Sequence, residues 1–480
     1  MTQTTAPADI RADHPAPVRP PAGEPSRLAP RGRGPARARG VLTVLAWVWP
    51  AVPVVAWLAT GGLSQAASSP AGLLTGAGIL SGLVATAIVV EMLWLAARVP
   101  AVERVLGHDR ALRIHASLGK PAFLGLVFHG LFVVAGYALA DGLTWWGEFG
   151  QLWATNDAAL AVVGLLLLAV VAASSVAMAR ARLPHEVWFG IHLLTYVAVA
   201  VSLPHQFTMG EVFASGLAAA GWLAVWVVTA FVVLTYRVFL PLFATLEHRL
   251  VVTAVTPVAR DTVAIDMSGR RLDRIGLEAG QFFTWRFLAP GLWWHGHPFS
   301  VSATPDGQRV RITIRRSGAG TDLIATRLRP GTPVLFAGPY GVFTERMRTT
   351  DRVVLVGVGS GIAPVLSLMG DLPVRPGAAT AIVRAGSVEE IPHRAELHTL
   401  AATRGVRLIE LVGSRRRHAD GSASWLPEGA RATSLRDLAP DLADADLYVC
   451  GPGPVREQVV GEALVAGLPP ARIHAEAFAW

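Results

Sequence analysis

Two apolar stretches, each carrying two histidines, constrain this chain more than anything else in it. The first runs from Arg113-Ile-His115 to Phe128-His129-Gly130, the second from Phe189-Gly190-Ile-His192 to Pro204-His205-Gln206. His115 and His129 are 14 residues apart, and His192 and His205 are 13 apart. At ~1.5 Å per helical residue those separations are roughly 21 and 20 Å, most of the thickness of a hydrocarbon core. Ionisable side chains inside a bilayer are rare and mark function, and neutral imidazole is an axial ligand for haem iron. Two parallel helices with this spacing are expected to clamp two stacked haems, one near each membrane face. Any one of these histidines alone reads as a hydrogen-bonded core residue; four in matched pairs do not. Fourteen positions return His129 to the face of His115, whereas thirteen leave His205 about 140° from His192 on an ideal helix. Pro204 removes a backbone donor just before His205, so a distorted helix end is expected there.

The 480 residues suffice for about three domains. Hydrophobic residues make up 52% and charged ones 16%, too apolar for a purely soluble protein and too charged for an all-membrane one. Lys120 is the only lysine among 42 basic residues. With the Ala, Gly and Pro richness, that bias points to codon composition and not to a nucleic-acid surface. Cys450 is the sole cysteine, which excludes a disulfide framework and a cysteine metal site.

Residues 1–40 are rich in Pro, Ala and Arg, and read as a disordered cytoplasmic tail without a cleavable signal peptide. Six apolar segments of spanning length follow, near 41–62, 72–96, 114–139, 158–179, 187–204 and 212–236. Seven arginines precede the first segment. Arg98, Arg104, Arg110 and Arg113 lie between the second and third, and Arg180 and Arg182 between the fourth and fifth. The opposite loops, 63–71, 140–157 and 205–211, hold no Lys or Arg. The positive-inside rule then puts the N terminus and everything after Arg237 in the cytoplasm. The two histidine helices become parallel, so His115 pairs with His192 on the inner side and His129 with His205 on the outer side. This predicts a six-helix transmembrane domain over 41–240, multi-pass in the plasma membrane.

From about Leu250, alternating runs (250–256, 262–267, 281–287, 299–303, 309–315, 332–336) broken by turn residues predict an antiparallel β-barrel over 248–345. From Asp351, strands at 352–356, 379–384, 406–412, 446–450 and 472–478 alternate with helices. They predict a parallel-sheet α/β domain over 350–480. In the barrel, His297-Pro298-Phe299-Ser300 suits the edge of a flavin ring. Gly318 to Thr321, including Gly320, opens a predicted helix (321–328) whose N terminus, with Arg315 before it, suits a pyrophosphate. In the α/β domain a strand runs into Gly357-Val-Gly359-Ser-Gly361-Ile-Ala-Pro364, where glycines let dinucleotide phosphates approach the backbone. Pro364 stands where a Rossmann fingerprint carries its third glycine. Ser414-Arg415 follows a later strand, and Cys450-Gly451-Pro452 another; the chain ends in Phe478-Ala-Trp480.

Taken in order, these motifs make the chain past residue 40 resemble the ferric reductase and NADPH oxidase superfamily. The resemblance implies a six-helix membrane domain with two b-type haems, fused to a ferredoxin-reductase-like module binding FAD and NADPH, or NADH. It implies that His115, His129, His192 and His205 ligate haem iron, and that Pro298, Phe299 and Ser300 line the flavin. Gly359 to Pro364 would hold the nicotinamide nucleotide, Ser414 and Arg415 would read a 2′-phosphate, and Cys450 would lie near the nicotinamide. Trp480 would cover the flavin where nicotinamide must stack. Cys450, Trp480 and Ser300 are thus the expected catalytic residues.

The implied activity is transfer of electrons from cytoplasmic NAD(P)H through FAD and two haems to an external acceptor, Fe(III) or another metal chelate first. Oxygen-reducing members carry a histidine one turn beyond the outer ligand and an arginine on the first span. Here Val133 takes the first place, and 41–62 holds no charge. Reduction of oxygen to superoxide is therefore the second expectation, and supply of electrons to an external protein the third. A proton-conducting or scaffold role is disfavoured by the intact flavin and nucleotide motifs.

Overall fold

The computed structural model describes residues 34–176, 181–417 and 421–477. Six helices are long and apolar enough to cross a membrane: Gly40–Ala59, Pro70–Ala96, Arg110–Asp141, Asn156–Ser175, His185–Thr208 and Gly216–His248. Residues 1–33 of the expected tail lie outside the described residues, and from Gly34 the chain is already helical. The second span starts where the Ser69 hydroxyl accepts from the Gly72 N–H with Pro70 at the first helical position. The third stops at Gly142, whose φ of 69° is open to glycine. The fourth and sixth spans keep apolar stripes exposed at helical spacing (Val163, Leu166, Val170; Leu223, Val227, Phe231), as a lipid-facing surface requires. Small residues bring spans together. A Cβ at Gly125 would lie 2.8 Å from Ala85, and one at Gly164 would lie 2.8 Å from the Ala198 carbonyl.

Two boundaries differ from expectation. The fifth helix runs through Pro204 to Thr208, so His205 lies within the helix and not in a loop. The Ser202 and Thr208 hydroxyls bond to the Ala198 and Pro204 carbonyls around the missing proline donor. The sixth helix continues past residue 236 through a π-helical turn, Thr235–Phe239, to His248, delivering the chain directly onto the barrel. The sequence also hid a short helix, Trp145–Trp153, on the side opposite the arginines.

The barrel follows from period-two alternation. Strands β1 (Val251–Ala259), β2 (Thr262–Ser268) and β5 (Arg309–Arg315) form one antiparallel sheet in the order β1-β2-β5. Strands β3 (Phe282–Phe287), β4 (His297–Ser300) and β6 (Val334–Tyr340) form another in the order β4-β3-β6. Bridges Val251↔Pro333 and Val301↔Ile312 join the sheets into a six-stranded barrel. Inside it, Val252, Ile265 and Ile312 meet Phe283, Trp285 and Phe336. Each such buried side chain contributes about 2–3 kcal/mol.

The last unit is a parallel sheet in the order β13-β12-β7-β8-β9, formed by β7 (Arg352–Val358), β8 (Ala379–Ala385), β9 (Arg407–Val412), β12 (Ala445–Gly451) and β13 (Ile473–Ala477). Helices cover both faces, which is why β7 and β12 read as continuous apolar runs. A hairpin of β10 (Arg415–Arg417) and β11 (Ala423–Pro427) follows β9; its arginine-rich first strand gave no strand signal.

Candidate functional site

The third and fifth spans hold the four histidines in two facing pairs. The ring centres of His115 and His192 are 6.0 Å apart, and those of His129 and His205 are 6.3 Å apart. Two metal–imidazole bonds of roughly 2.0 Å, plus about 1 Å from each nitrogen to its ring centre, sum to about 6 Å. His115 Nδ1 lies 3.0 Å from the Met92 carbonyl and His129 Nδ1 lies 2.9 Å from the Gly78 carbonyl. Bonds of this kind fix the tautomer and leave Nε2 to a metal. Nδ1 of His192 is buried without a protein partner, while the Ser202 backbone lies within reach of the His205 ring. Among the described residues, no group of three or more His, Cys, Asp or Glu side chains could hold a metal ion. A two-imidazole site suits an iron whose other positions a macrocycle fills.

Neighbouring residues set the ring positions. A Cβ on Gly82 would lie 2.6 Å from the His129 ring, so the second span approaches that histidine only as glycine. Gln206 Oε1 accepts from Trp222 Nε1–H at 2.8 Å and Trp226 Nε1–H at 3.3 Å, pinning the turn that carries His205 to the sixth span. Trp188 stacks on His192 at 5.0 Å. The 140° separation of His192 and His205 on an ideal helix does not prevent both from facing the third span. Their rings meet their partners at different angles, 61° and 36°.

A continuous cavity of ≈ 3080 Å³ links the His115–His192 pair to the barrel and to the nucleotide domain. That is about three times the ~1,000 Å³ upper range of an ordinary small-molecule site. His115 and His192 line one end, His297 to Ser300 with Gly318, Gly320 and Thr321 the middle, and Arg456 and Glu476 the far side. Contacts between the membrane and soluble halves surround it. Arg98 Nη1 donates to Thr284 Oγ1 at 3.2 Å, with its guanidinium 4.3 Å over the Tyr340 ring. Glu186 Oε1 lies 2.9 Å from His295 Nδ1. His295 stacks on His297 at 5.8 Å, and His297 on Phe299 at 5.9 Å.

In the barrel, Ser300 is 4% exposed and its Oγ is buried without a partner on a strand lining the cavity. Its neighbour Pro298 is buried and Phe299 half-buried. An orphaned hydroxyl there fits a bound polar ring edge. Burial, above all, pushes the His297 imidazole down to about 4, and His295 adds to the effect. A Cβ on Gly320 would sit 2.9 Å from that ring, so helix Ala319–Arg327 reaches it only through glycine. Thr321 Oγ1 accepts from the Ser317 and Gly318 N–H groups. Arg315 donates to Glu390 at 3.3 Å, and its Nη1 lies 3.6 Å from where a Gly359 Cβ would be.

The glycine turn Gly359–Gly361 leads from β7 into helix Ile362–Asp371, where Pro364 is buried. A Cβ on Gly361 would overlap the Cys450 carbonyl, so this turn lies directly against Cys450-Gly451-Pro452 at the end of β12, and Gly357 pairs with Cys450 across the sheet. Cys450 is fully buried. Ser414 and Arg415 open the hairpin, exposed; the Arg415 guanidinium donates to the Ser424 and Ala423 carbonyls at 2.9 and 2.7 Å. Trp480 lies outside the described residues. The sequence reading missed Arg98, Glu186 and His295, because their roles depend on contacts across domains that no local pattern encodes, and Trp188, which stacks on His192 one turn along its own helix.

Residues 81–203 match the family model for ferric reductase like transmembrane components. The ferredoxin reductase component of 3-ketosteroid-9-alpha-monooxygenase from Rhodococcus rhodochrous is 28% identical over 235 residues, 48% of this chain and 64% of that protein. A flavohemoprotein of Xylella fastidiosa (strain 9a5c) is 28% identical over 207 residues, 42% and 51% of the two chains. The chain thus spans between half and two thirds of the length of these curated relatives. The solved FAD/NAD-binding domain of nitric oxide dioxygenase from Vibrio cholerae is 22% identical, with a TM-score of 0.40 over 48% of this chain and 99% of that one. A stretch similar to ferric-reductase membrane components and one similar to ferredoxin-reductase components are joined here in one multi-pass membrane chain.

Proposed function

We propose that this chain is a transmembrane reductase taking electrons from cytoplasmic NAD(P)H to an acceptor outside the membrane, with FAD and two b-type haems as its bound groups. FAD supplies the conversion of a two-electron hydride into single electrons, and the haems supply one-electron carriers. The observation that carries this reading is the pair of facing imidazoles at 6.0 and 6.3 Å, stacked along two helices. His115 with His192, and His129 with His205, would hold the two irons, which would supply one-electron chemistry there. The acceptor then reacts at an exposed edge, which favours an Fe(III) or other metal chelate over a ligand that must bind iron.

On the inner side, the Ser300 hydroxyl and the Pro298-Phe299 backbone orient the flavin ring. Gly357, Gly359, Gly361 and Pro364 shape the bed for the nicotinamide nucleotide beside Cys450-Gly451-Pro452, and Ser414 with Arg415 favours a 2′-phosphate. Trp480 shields the flavin until the nucleotide arrives. The arginines flanking the spans support a cytoplasmic N terminus and reductase module. The test is NAD(P)H oxidation by purified protein with Fe(III) chelate or oxygen as sole acceptor, with and without superoxide dismutase, beside a pyridine haemochrome count. Two haems per chain and chelate reduction unaffected by the dismutase are expected. Purified protein devoid of haem would end the reading, and chelate reduction abolished by the dismutase would move oxygen to first place.

A further inference from the structure

Three arginines from three parts of the chain converge where the membrane half meets the barrel. Arg98 closes the second span, Arg237 lies in the sixth, and Arg286 is on β3. All three line the cavity that reaches His115 and His192. Arg237 lies within electrostatic range of both Arg98 and Arg286. Among the described residues, none of the three forms an ion pair with a carboxylate. Arg98 spends its donors on Thr284 and stands beside His108 Nε2 at 3.5 Å. Burial, and then Arg98, hold the Arg286 guanidinium below its ordinary range.

Two of the three sit on irregular backbone. Arg98 has a φ of +63°, a left-handed conformation that costs a non-glycine residue about 1 kcal/mol or more. Arg237 lies in the π-helical turn Thr235–Phe239, and such turns concentrate at functional sites. Gathering unpaired guanidinium groups away from bulk water is unfavourable unless an anion joins them. Planar guanidinium forks match carboxylates in bidentate geometry.

We propose that Arg98, Arg237 and Arg286 form an anion site that takes the propionate carboxylates of the inner porphyrin, turning its acidic edge toward the barrel. The inference rests on the haem reading above. On the same reading the flavin diphosphate would take the turn that opens helix Ala319–Arg327, which lines this cavity through Gly318, Gly320 and Thr321, so the triad serves the other acidic group entering it. The arginines then act as positioning residues: they fix the porphyrin about the His115–His192 axis and hold its potential up by countering the carboxylate charge.

The test uses purified full-length protein and the single variants Arg237→Gln, Arg237→Lys and Arg286→Gln. It measures haem count, FAD content and optical redox titration of both haems. In Arg237→Gln and Arg286→Gln, one of the two midpoint potentials should move negative, with FAD content unchanged, and Arg237→Lys should restore most of the shift. Wild-type protein loaded with iron protoporphyrin dimethyl ester should change that same midpoint, and Arg237→Gln should add nothing further. Two haems with both midpoints unmoved in both Gln variants overturn the proposal. So does loss of FAD with unmoved midpoints, which would give the triad to the flavin diphosphate. Should Arg237→Gln fail to accumulate, Arg286→Gln, on a barrel strand outside the membrane, decides alone. Wild-type protein without haem instead sinks the parent reading, so the two failures remain distinct.

Discussion

Each of the four histidines is one half of a facing pair, so on the proposed reading removing any one would leave an iron held from one side. His115→Ala or His192→Ala should lose one haem, as should His129→Ala or His205→Ala, halving the pyridine haemochrome count and stopping transfer across the membrane. His297 offers a different measurement. Its imidazole is held down to about 4, first by burial and then by His295. Between its ordinary value near 6.5 and about 4, the unfolded chain binds a proton that the folded chain does not. Stability therefore falls as pH falls through that window, by at most ~3 kcal/mol for this one group. Thermal melts of His297→Gln should lose less between pH 6.5 and 4 than wild type; parallel curves would assign the acid sensitivity elsewhere. Arg415 keeps donors beyond the two that anchor it to β11. A charge-assisted contact to a 2′-phosphate is worth ~1.5–3 kcal/mol, so Arg415→Ala should cut the NADPH-to-NADH ratio of kcat/KM about 10- to 100-fold. An unchanged ratio would leave Arg415 a structural strap of the hairpin.

Among the elements, the second span is the wall against which His129 is set. Gly82→Val puts branched carbon where the His129 ring lies 2.6 Å from a Cβ position, so the ring must turn away. Overpacking of this kind costs about 1–3 kcal/mol, and the haem count should drop toward one per chain while FAD content stays whole. Much of this arrangement was legible beforehand. Apolar length gave six spans, and period-two alternation against continuous apolar runs separated barrel from parallel sheet. The remainder was illegible for identifiable reasons. Helix His185–Thr208 passes through a proline that a local rule reads as an end, since Pro204 removes only the donor to the Ala200 carbonyl and the helix carries on to Thr208. Helix Trp145–Trp153 is nine residues long, too short for periodicity to speak. Strand Arg415–Arg417 is entirely arginine, a composition with no strand preference, and forms because β11 pairs with it.

At the scale of the whole molecule, the Glu186–His295 hydrogen bond at 2.9 Å joins the fifth span to the barrel, where His295 stacks on His297 of β4. Glu186→Gln or His295→Ala should loosen that seat. Stopped-flow spectra should show flavin reduction by NADPH at the wild-type rate and haem reduction slowed about tenfold, since small displacements of reacting centres carry such penalties. Equal slowing of both steps would mean that the contact serves folding instead. The stacking of the two imidazole pairs has one more consequence. They stand fourteen residues apart on the third span, a rise of about 21 Å through the low-dielectric slab. On the proposed route each electron moves outward through most of the membrane voltage, leaving its proton behind in the cytoplasm. With the interior negative, that step is downhill by up to ~2.3 kcal/mol per 100 mV. Turnover is then an electric current: it depolarises the membrane it draws on, and it persists only while some other path returns positive charge to the outside.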